Sequence, residues 1–352
     1  MSFNTETPQT IQRRQEAEAE MVLPGSSPRI ANTPEALVTR ATTLVGYELH
    51  KHIDEEAKEI LPHTATRTLP QHGSMQTVDQ KSENKAQGIA QFTGIDGAII
   101  PALTIIQRAD NVQFVTTADV TIVGTTVNGT IEAVNAGANG NTPAATNLEL
   151  ISPLIGIEST VIVDVDGLSL GADIERVEPY RERILEQWRQ PPHGGALFDY
   201  SYWAKQVPGV TRAWPFENLV QGIPVSITFV IDDRDDIFPT ALEVAAVEEY
   251  IDTQRPVGAL FEVFAPTAKS IDMEIGLNPN TVAVQETVRA ELEDFFKREA
   301  EPGKTLRLSR LQESISVATG EFHHVLITPN ADIVADESEL PTLGTITWSL
   351  AT

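Results

Sequence analysis

The stretch Arg181-Glu182-Arg183-Ile184-Leu185-Glu186-Gln187-Trp188-Arg189-Gln190-Pro191-Pro192-His193-Gly194-Gly195-Ala196-Leu197-Phe198-Asp199-Tyr200 separates two halves of the chain that follow different rules. Val177, Ile184, Leu185 and Trp188 recur at helical spacing, and the helix must stop before Pro191-Pro192 because a residue preceding proline avoids the α region. The helical pattern resumes through Leu197, Phe198, Tyr202 and Trp203. Pro191, Pro192, His193, Gly194 and Gly195 therefore form an elbow between two helices. Prolines stop the first helix and remove backbone donors, while glycines reach angles closed to other residues, so the elbow is either a hinge or a fixed corner.

Upstream of the elbow the period is two. Val127, Ile131 and Ala133 alternate with Thr126, Asn128, Thr130 and Glu132, and Val161, Val163 and Val165 with Thr160 and Asp164. Turn signals at Gly94 to Gly97, Asn128-Gly129, Gly137 to Asn141 and Asp166-Gly167 separate the runs, which predicts an all-β domain over 88–171. Further back, Ala41, Leu44, Leu49, Ile53, Ala57 and Ile60 follow Leu37 at helical spacing between Pro34 and Pro62. They predict one long amphipathic helix in a segment 34–87. Residues 1–33, with the charged run Arg13 to Glu20 and then Pro24, Gly25 and Pro28, read as an arm outside any core. Asp173 is the expected N-cap of the helix that leads to the elbow.

Downstream, Val225, Ile227, Phe229 and Ile231 alternate as a strand, Thr240 and Glu243 form a capping box for a helix ending before Pro256, and Leu260 to Phe264 returns as a strand. The layout partly recurs with a strand at Ile271, Met273, Ile275 and Leu277, a helix through Val284, Val288, Leu292 and Phe295, a second capping box at Ser309 and Gln312, and a strand from Phe322 to Ile327. The fold class is thus α+β multidomain: an N-terminal amphipathic helix, an all-β unit, then two small α+β units over 172–265 and 266–352.

Composition narrows the function. Lys and Arg total 25 against 50 Asp and Glu, a formal net charge of -25 that repels nucleic-acid phosphate and anionic lipid. With no cysteine, thiolate metal sites, disulfides and cysteine nucleophiles are excluded. No apolar run approaches the ~20 residues that span a bilayer, and Met1 to Glu20 lacks a secretory layout. The expectation is a soluble protein made in a cytoplasm, with neither nucleic acid nor membrane as partner.

Motifs for chemistry fail on context. Gly167-Leu168-Ser169-Leu170-Gly171 matches a nucleophile elbow, but such an elbow sets its serine at the start of a helix, and Asp166-Gly167 already explains the turn. Gly303-Lys304-Thr305 resembles the tail of a phosphate-binding loop whose first glycine is replaced by Arg298. His50 and His52, like the neighbours His323 and His324, point to different faces of their elements and cannot chelate alone. The acidic run Asp232-Asp233-Arg234-Asp235-Asp236 lacks the glycine and distal glutamate of a calcium loop and reads as a solvated connection. No cofactor is implied. Aromatics concentrate beside the elbow: Phe198, Tyr200, Tyr202, Trp203, Trp214 and Phe216. Most belong to a core, with Tyr202, Trp203, Trp214 and Phe216 the candidates for one or two exposed interface anchors.

Arg181-Glu182-Arg183, Arg189 to Gly195, Asp199-Tyr200, Trp203-Ala204 and Val207-Pro208-Gly209-Val210-Thr211-Arg212-Ala213-Trp214 together resemble the Mu-like baseplate protein J family. Further matches are Gly97 with Ile100-Pro101, Thr104 and Arg108; Gly137 to Asn141; Gly171-Ala172-Asp173; Leu308-Ser309-Arg310-Leu311; and His324-Val325-Leu326. The resemblance runs from about Ala41 to Trp348. It implies a virion protein of a contractile phage tail or related injection system, assembled in the host cytoplasm as a wedge of a six-fold baseplate ring. Implied partners are a second copy paired through the C-terminal parts, a smaller wedge protein bound through helices, and hub, spike and sheath-side baseplate proteins. The family supplies no catalytic residues. A host-binding tail protein using the β domain is the alternative from another class, and a hydrolase using Ser169 a third.

Overall fold

The computed structural model describes residues 6–232, 234 and 236–351. They form two compact units, one made of the residues up to Gln80 with Arg176–Pro191, the other of Lys81–Glu175 with the residues from Pro192 onward.

The first unit is helical, with α1 (Pro8–Val22), α2 (Pro34–Glu59), α3 (Leu69–Met75) and α4 (Val177–Arg189). The stretch read as an arm therefore contains a helix. The Thr7 hydroxyl accepts from Thr10 N, Pro8 occupies a first-turn position, and Ile11 is buried. Helix α1 packs on α2, where Gln15 Oε1 accepts from the hydroxyls of Thr42 at 2.9 Å and Thr43 at 2.8 Å.

Helix α2 has the expected bounds, capped by Thr33 and ended ahead of Pro62. Its apolar stripe, however, is not the buried side. The buried residues are Ala36, Thr39 and Thr43, while Leu44, Leu49, Ile53 and Ile60 are 51–67% exposed. Polar α1 meets α2 along the alanine and threonine edge, and the stripe is left facing outward.

Helix α4, read as the opening of the central domain, belongs to the helical unit. The Arg181 guanidinium donates to the carbonyls of Pro62 and Ala65, Arg183 to the carbonyl of Asp79 at 2.7 Å, and the Tyr180 hydroxyl to that of Val78 at 2.9 Å. Tyr180 Oη sits so close to Gly73 that a Cβ there would lie 2.0 Å away. The Arg-Glu-Arg motif thus satisfies carbonyls at the ends of distant turns, which are costly to bury unpaired. Asp173 does not cap α4. The cap is Arg176, and Asp173 instead accepts from Ala138 N at 2.9 Å.

The second unit begins with the β domain: β1 (Gln87–Gly94), β2 (Ile99–Ile100), β3 (Ile105–Arg108), β4 (Gln113–Thr116), β5 (Val120–Thr121), β6 (Thr126–Ala133), β7 (Asn147–Leu150) and β8 (Ile157–Ser169). Six of these close an antiparallel barrel in the order β1-β6-β4-β3-β7-β8, with β2 and β5 paired beside it. Closure leaves no free edge to aggregate. Inward residues Phe92, Phe114, Ile106, Ile131, Leu148 and Val161 are fully buried, each worth about 1.5–3 kcal/mol of burial.

One end of the barrel is tied by Arg108, whose guanidinium donates to Asp110, to the carbonyls of Asn139 and Asn141 and to Thr142 Oγ1 at 2.7–2.9 Å. That hydrogen bond holds the Asp110 carboxyl down at about 2. A depressed folded-state value stabilises above the ordinary carboxylate pKa and is lost as pH falls through the folded one. The stability difference between wild type and Asp110→Asn should therefore be full above about pH 4 and vanish toward pH 2. Chemical denaturation of both chains across that window checks it; a constant difference would remove the ion pair as its cause.

The central domain carries α5 (Leu197–Ala204), β9 (Arg212–Val220), β10 (Ile223–Val230), α6 (Ala241–Gln254) and β11 (Phe261–Phe264) in a sheet ordered β11-β10-β9, with β10 and β11 parallel. Helices α5 and α6 cover Ile227, Phe229 and Val263. The C-terminal domain follows with β12 (Thr267–Asn278), α7 (Val282–Glu299), β13 (Thr305–Leu306), α8 (Leu308–Val317), β14 (His323–Thr328), β15 (Ile333–Val334) and β16 (Glu339–Leu350), its main sheet ordered β14-β12-β16. Its core takes in Val230, Trp214, Ile237 and Phe238 from the central domain.

The capping box expected at Ser309 and Gln312 does not form, because α8 starts two residues earlier, at Leu308 with Arg307 as its cap. Asp332 caps it from a distant loop, accepting from Leu308 N at 2.9 Å and pairing with Arg307, and these contacts lower its pKa.

Candidate functional site

The elbow is held on its downstream side by one carboxylate. Asp199, 2% exposed in the first turn of α5, accepts from the backbone amides of His193, Gly195 and Ala196 at 2.7–3.2 Å. Gly194 and Gly195 have φ of +74° and +110°, which explains the glycine pair. The His193 ring packs edge-on against Phe198. Residues 193–196 are thereby tied to α5, and Pro191 and Pro192 stand at the passage from one compact unit to the other. Asp199 was legible only as part of the motif; an acid in the first turn of a helix after a glycine pair is the signal for such a cap.

The aromatic candidates divide. Trp203 is core, packed edge-on against Tyr200 with ring centroids 4.9 Å apart, and so is withdrawn from contact with a partner. Trp214 packs into the C-terminal core beneath the Arg212 guanidinium, 5.1 Å from its ring centroid. Tyr202 and Phe216 are half-buried. The barrel's two aromatics, Phe92 and Phe114, are fully buried and so offer no stacking platform for a sugar.

Ser169 ends β8, and its buried hydroxyl accepts from Thr240 Oγ1 at 3.1 Å. It does not start a helix: α4 begins eight residues later. Lys304 Nζ pairs with Glu301 at 2.5 Å, and the Gly303 amide donates to the Asp336 carbonyl, so this loop points its donors at its own chain. A serine-reactive phosphonate should leave Ser169 unlabelled, its hydroxyl being buried against Thr240. Stoichiometric labelling at Ser169 would reveal a chemical role.

His50 and His52 are exposed on α2, and His324 Nδ1 lies 3.0 Å from Glu321 Oε1 while His323 points outward. Of the acidic run, Asp233 and Asp235 lie outside the described residues; Asp232 binds Arg212 and Thr211, and Asp236 accepts from Phe238 N. Among the described residues no group of three or more His, Asp or Glu is placed to hold a metal ion, and no helix is long and apolar enough to cross a membrane.

What the chain does present is the outer face of α2. Val38, Val45, Leu49 and Ile53, with Ile60 at the C-cap, follow one another four or seven positions apart on one side, each more than half exposed. Scattered exposed apolar residues are ordinary, but a continuous stripe along a helix marks a surface that associates.

Three family models match successive parts of the chain: the baseplate J-like protein barrel domain over residues 89–168, the baseplate J-like central domain over 192–265, and the baseplate J-like protein C-terminal domain over 270–349. The baseplate protein gp47 of Escherichia phage Mu is 33% identical over 362 residues, covering 99% of this chain and 100% of that protein. The Mu-like prophage FluMu protein gp47 of Haemophilus influenzae is 31% identical with the same coverage, and the putative protein JayE of Escherichia coli is 37% identical over 72% of this chain and 96% of its own length. A chain of the anti-feeding prophage baseplate, solved by cryo-EM with 6-fold symmetry, aligns over 97% of this chain and 100% of its own at a TM-score of 0.44 and 10% identity. With a third of its residues shared end to end and its three domains matched in order, this chain belongs to the baseplate J-like family.

Proposed function

We propose that this protein is a structural, non-enzymatic wedge component of a contractile tail baseplate, which helps to assemble a six-fold ring around the hub and relays a change of state to the sheath. The observation that carries this reading is the apolar face of α2, left exposed among the described residues, on a helical unit distinct from the barrel and its attached domains. Such a face has no use in a monomer and suits a bundle with helices of a smaller wedge protein. The net charge of -25 favours protein partners over polyanions.

A second copy is the expected partner of the C-terminal domain, where Val325 and Ile327 stand half-exposed on β14. Because that domain shares its core with Trp214, Val230, Ile237 and Phe238, its pairing is best measured by light scattering on the whole chain, with Val325→Asp and Ile327→Asp as the disrupting pair. In the virion, a phage lacking this chain should make sheath and tube but no complete baseplates, and supplying the chain in trans should restore them. Complete baseplates formed without it would sink the proposal.

A further inference from the structure

Asp232 and Arg234, from the acidic run, and Ile237 to Thr240 after it lie in the structure where barrel, central and C-terminal domains meet. The Asp232 carboxylate, 5% exposed, accepts from Arg212 Nε at 2.8 Å, from Arg212 Nη2 at 2.7 Å and from the Thr211 hydroxyl at 2.6 Å. The remaining arm of Arg212, Nη1, donates at 3.0 Å to the carbonyl of Ala300, just past the end of α7 in the C-terminal domain. Ile237 and Phe238 extend this joint by packing into the C-terminal core.

Two residues on, Arg234 braces the turn into α6, whose cap Thr240 reaches the barrel. Its guanidinium grips both oxygens of Glu243, at 2.6 and 3.0 Å, and reaches the carbonyls of Asp236 and Phe238. Glu243, 4% exposed, accepts from Thr240 N at 2.8 Å, and the Thr240 hydroxyl stands 3.1 Å from Ser169 on the last strand of the barrel. Nearby, Lys81 Nζ donates to the carbonyls of Val207 and Val210, which fastens the lead into the barrel to the central domain. Two planar guanidinium groups, each bidentate to a buried carboxylate, fix orientation as well as distance, which a lysine or an apolar contact would not do.

We propose that Asp232, Arg234, Thr240 and Glu243, with Arg212 as counterpart, are a clamp that makes barrel, central and C-terminal domains a single rigid lever. The rigidity stands on this geometry alone; only its use in transmitting a displacement rests on the baseplate reading. Arg212, Arg234, Asp232 and Glu243 are positioning residues that act through the domains they align.

The chain has no cysteine, so paired cysteines introduced for spin labels are the only thiols present. Labels at Val165 in the barrel, Glu248 on α6 and Val317 at the end of α8, all exposed, report the two joints in the full-length chain. Wild type should give one narrow distance for each pair. Arg234→Gln should at least double the width of the Val165 to Glu248 distribution and leave Glu248 to Val317 narrow, while Arg212→Gln should do the reverse. Leu292→Ala, a cavity inside the C-terminal core, serves as the control: it should lower the melting temperature and leave both distances narrow. The clamp is refuted if wild-type distances are already broad, if both arginine variants stay as narrow as wild type, or if Leu292→Ala broadens them equally. Particle assembly scored on the same variants tests the baseplate reading separately, since a clamp confirmed by distances stands whether or not baseplates form.

Discussion

Replacing Val45, Leu49 and Ile53 with glutamate should leave the chain folded and abolish its incorporation into tails. All three lie on one side of α2 and are 51–57% exposed, and glutamate is a good helix former, so folding stability should change by no more than about 0.5 kcal/mol per site. Against an apolar partner the same change is severe. Each lost burial is worth about 1.5 kcal/mol and each carboxylate adds a desolvation cost, so the three together weaken association by a factor of at least about 1,000. An unchanged melting curve combined with absence from purified particles is the expected pair of results. Wild-type incorporation of the triple variant would show that this face contacts nothing in the baseplate. A lowered melting temperature would instead show that the stripe is covered within the chain itself.

The second large effect is expected at the elbow. Asp199→Ala strands three backbone donors, and with about 1–3 kcal/mol for each buried donor left unpaired the central domain should lose about 3–5 kcal/mol. Asp199→Asn keeps one acceptor oxygen and should lose about half as much, read as the ratio of the two shifts in urea midpoint. The double variant Gly194→Val, Gly195→Val forces β-branched residues to φ of +74° and +110° and sets a new Cβ 3.0 Å from Pro256 Cγ. It should remain soluble and fail to complete working baseplates. If it assembles and contracts normally, the elbow is neither hinge nor essential corner. The three amides held by Asp199 tie residues 193–196 to α5, which favours the corner. Baseplate structures before and after contraction that superpose across 186–200 would leave only the corner.

Much of this molecule is written locally. Alternation through Val127 to Ala133 and Val161 to Val165 specified strands because a pleat turns successive side chains to opposite faces; Ile131, Ala133, Val161 and Val163 line the barrel, whereas Val165 is exposed. The Thr240 and Glu243 capping box and the stops at Pro62 and Pro191 also act within a few residues, and the helix bounds follow them. The candidate site was less legible. The elbow and its glycine pair stood out, whereas Asp232 and Arg234 looked like part of a solvated acidic loop, because their partners Arg212 and Glu243 are 20 and 9 positions away.

From the sequence by itself came the helices α2 and α4 to α8, the strands β6, β8, β10, β11, β12 and β14, the mixed α and β class and the absence of cysteine, all properties of neighbouring residues or of composition. The tertiary structure alone decided that α1 is a helix laid on α2, that α4 belongs with the helical unit, that Asp332 rather than Ser309 caps α8, and that the stripe of α2 faces outward. The physical reason is common to all four. Periodicity reports that a face is apolar or that a donor needs an acceptor, but the group that covers that face or supplies that acceptor can lie a hundred residues away, as Val78 does from Tyr180, or in another molecule.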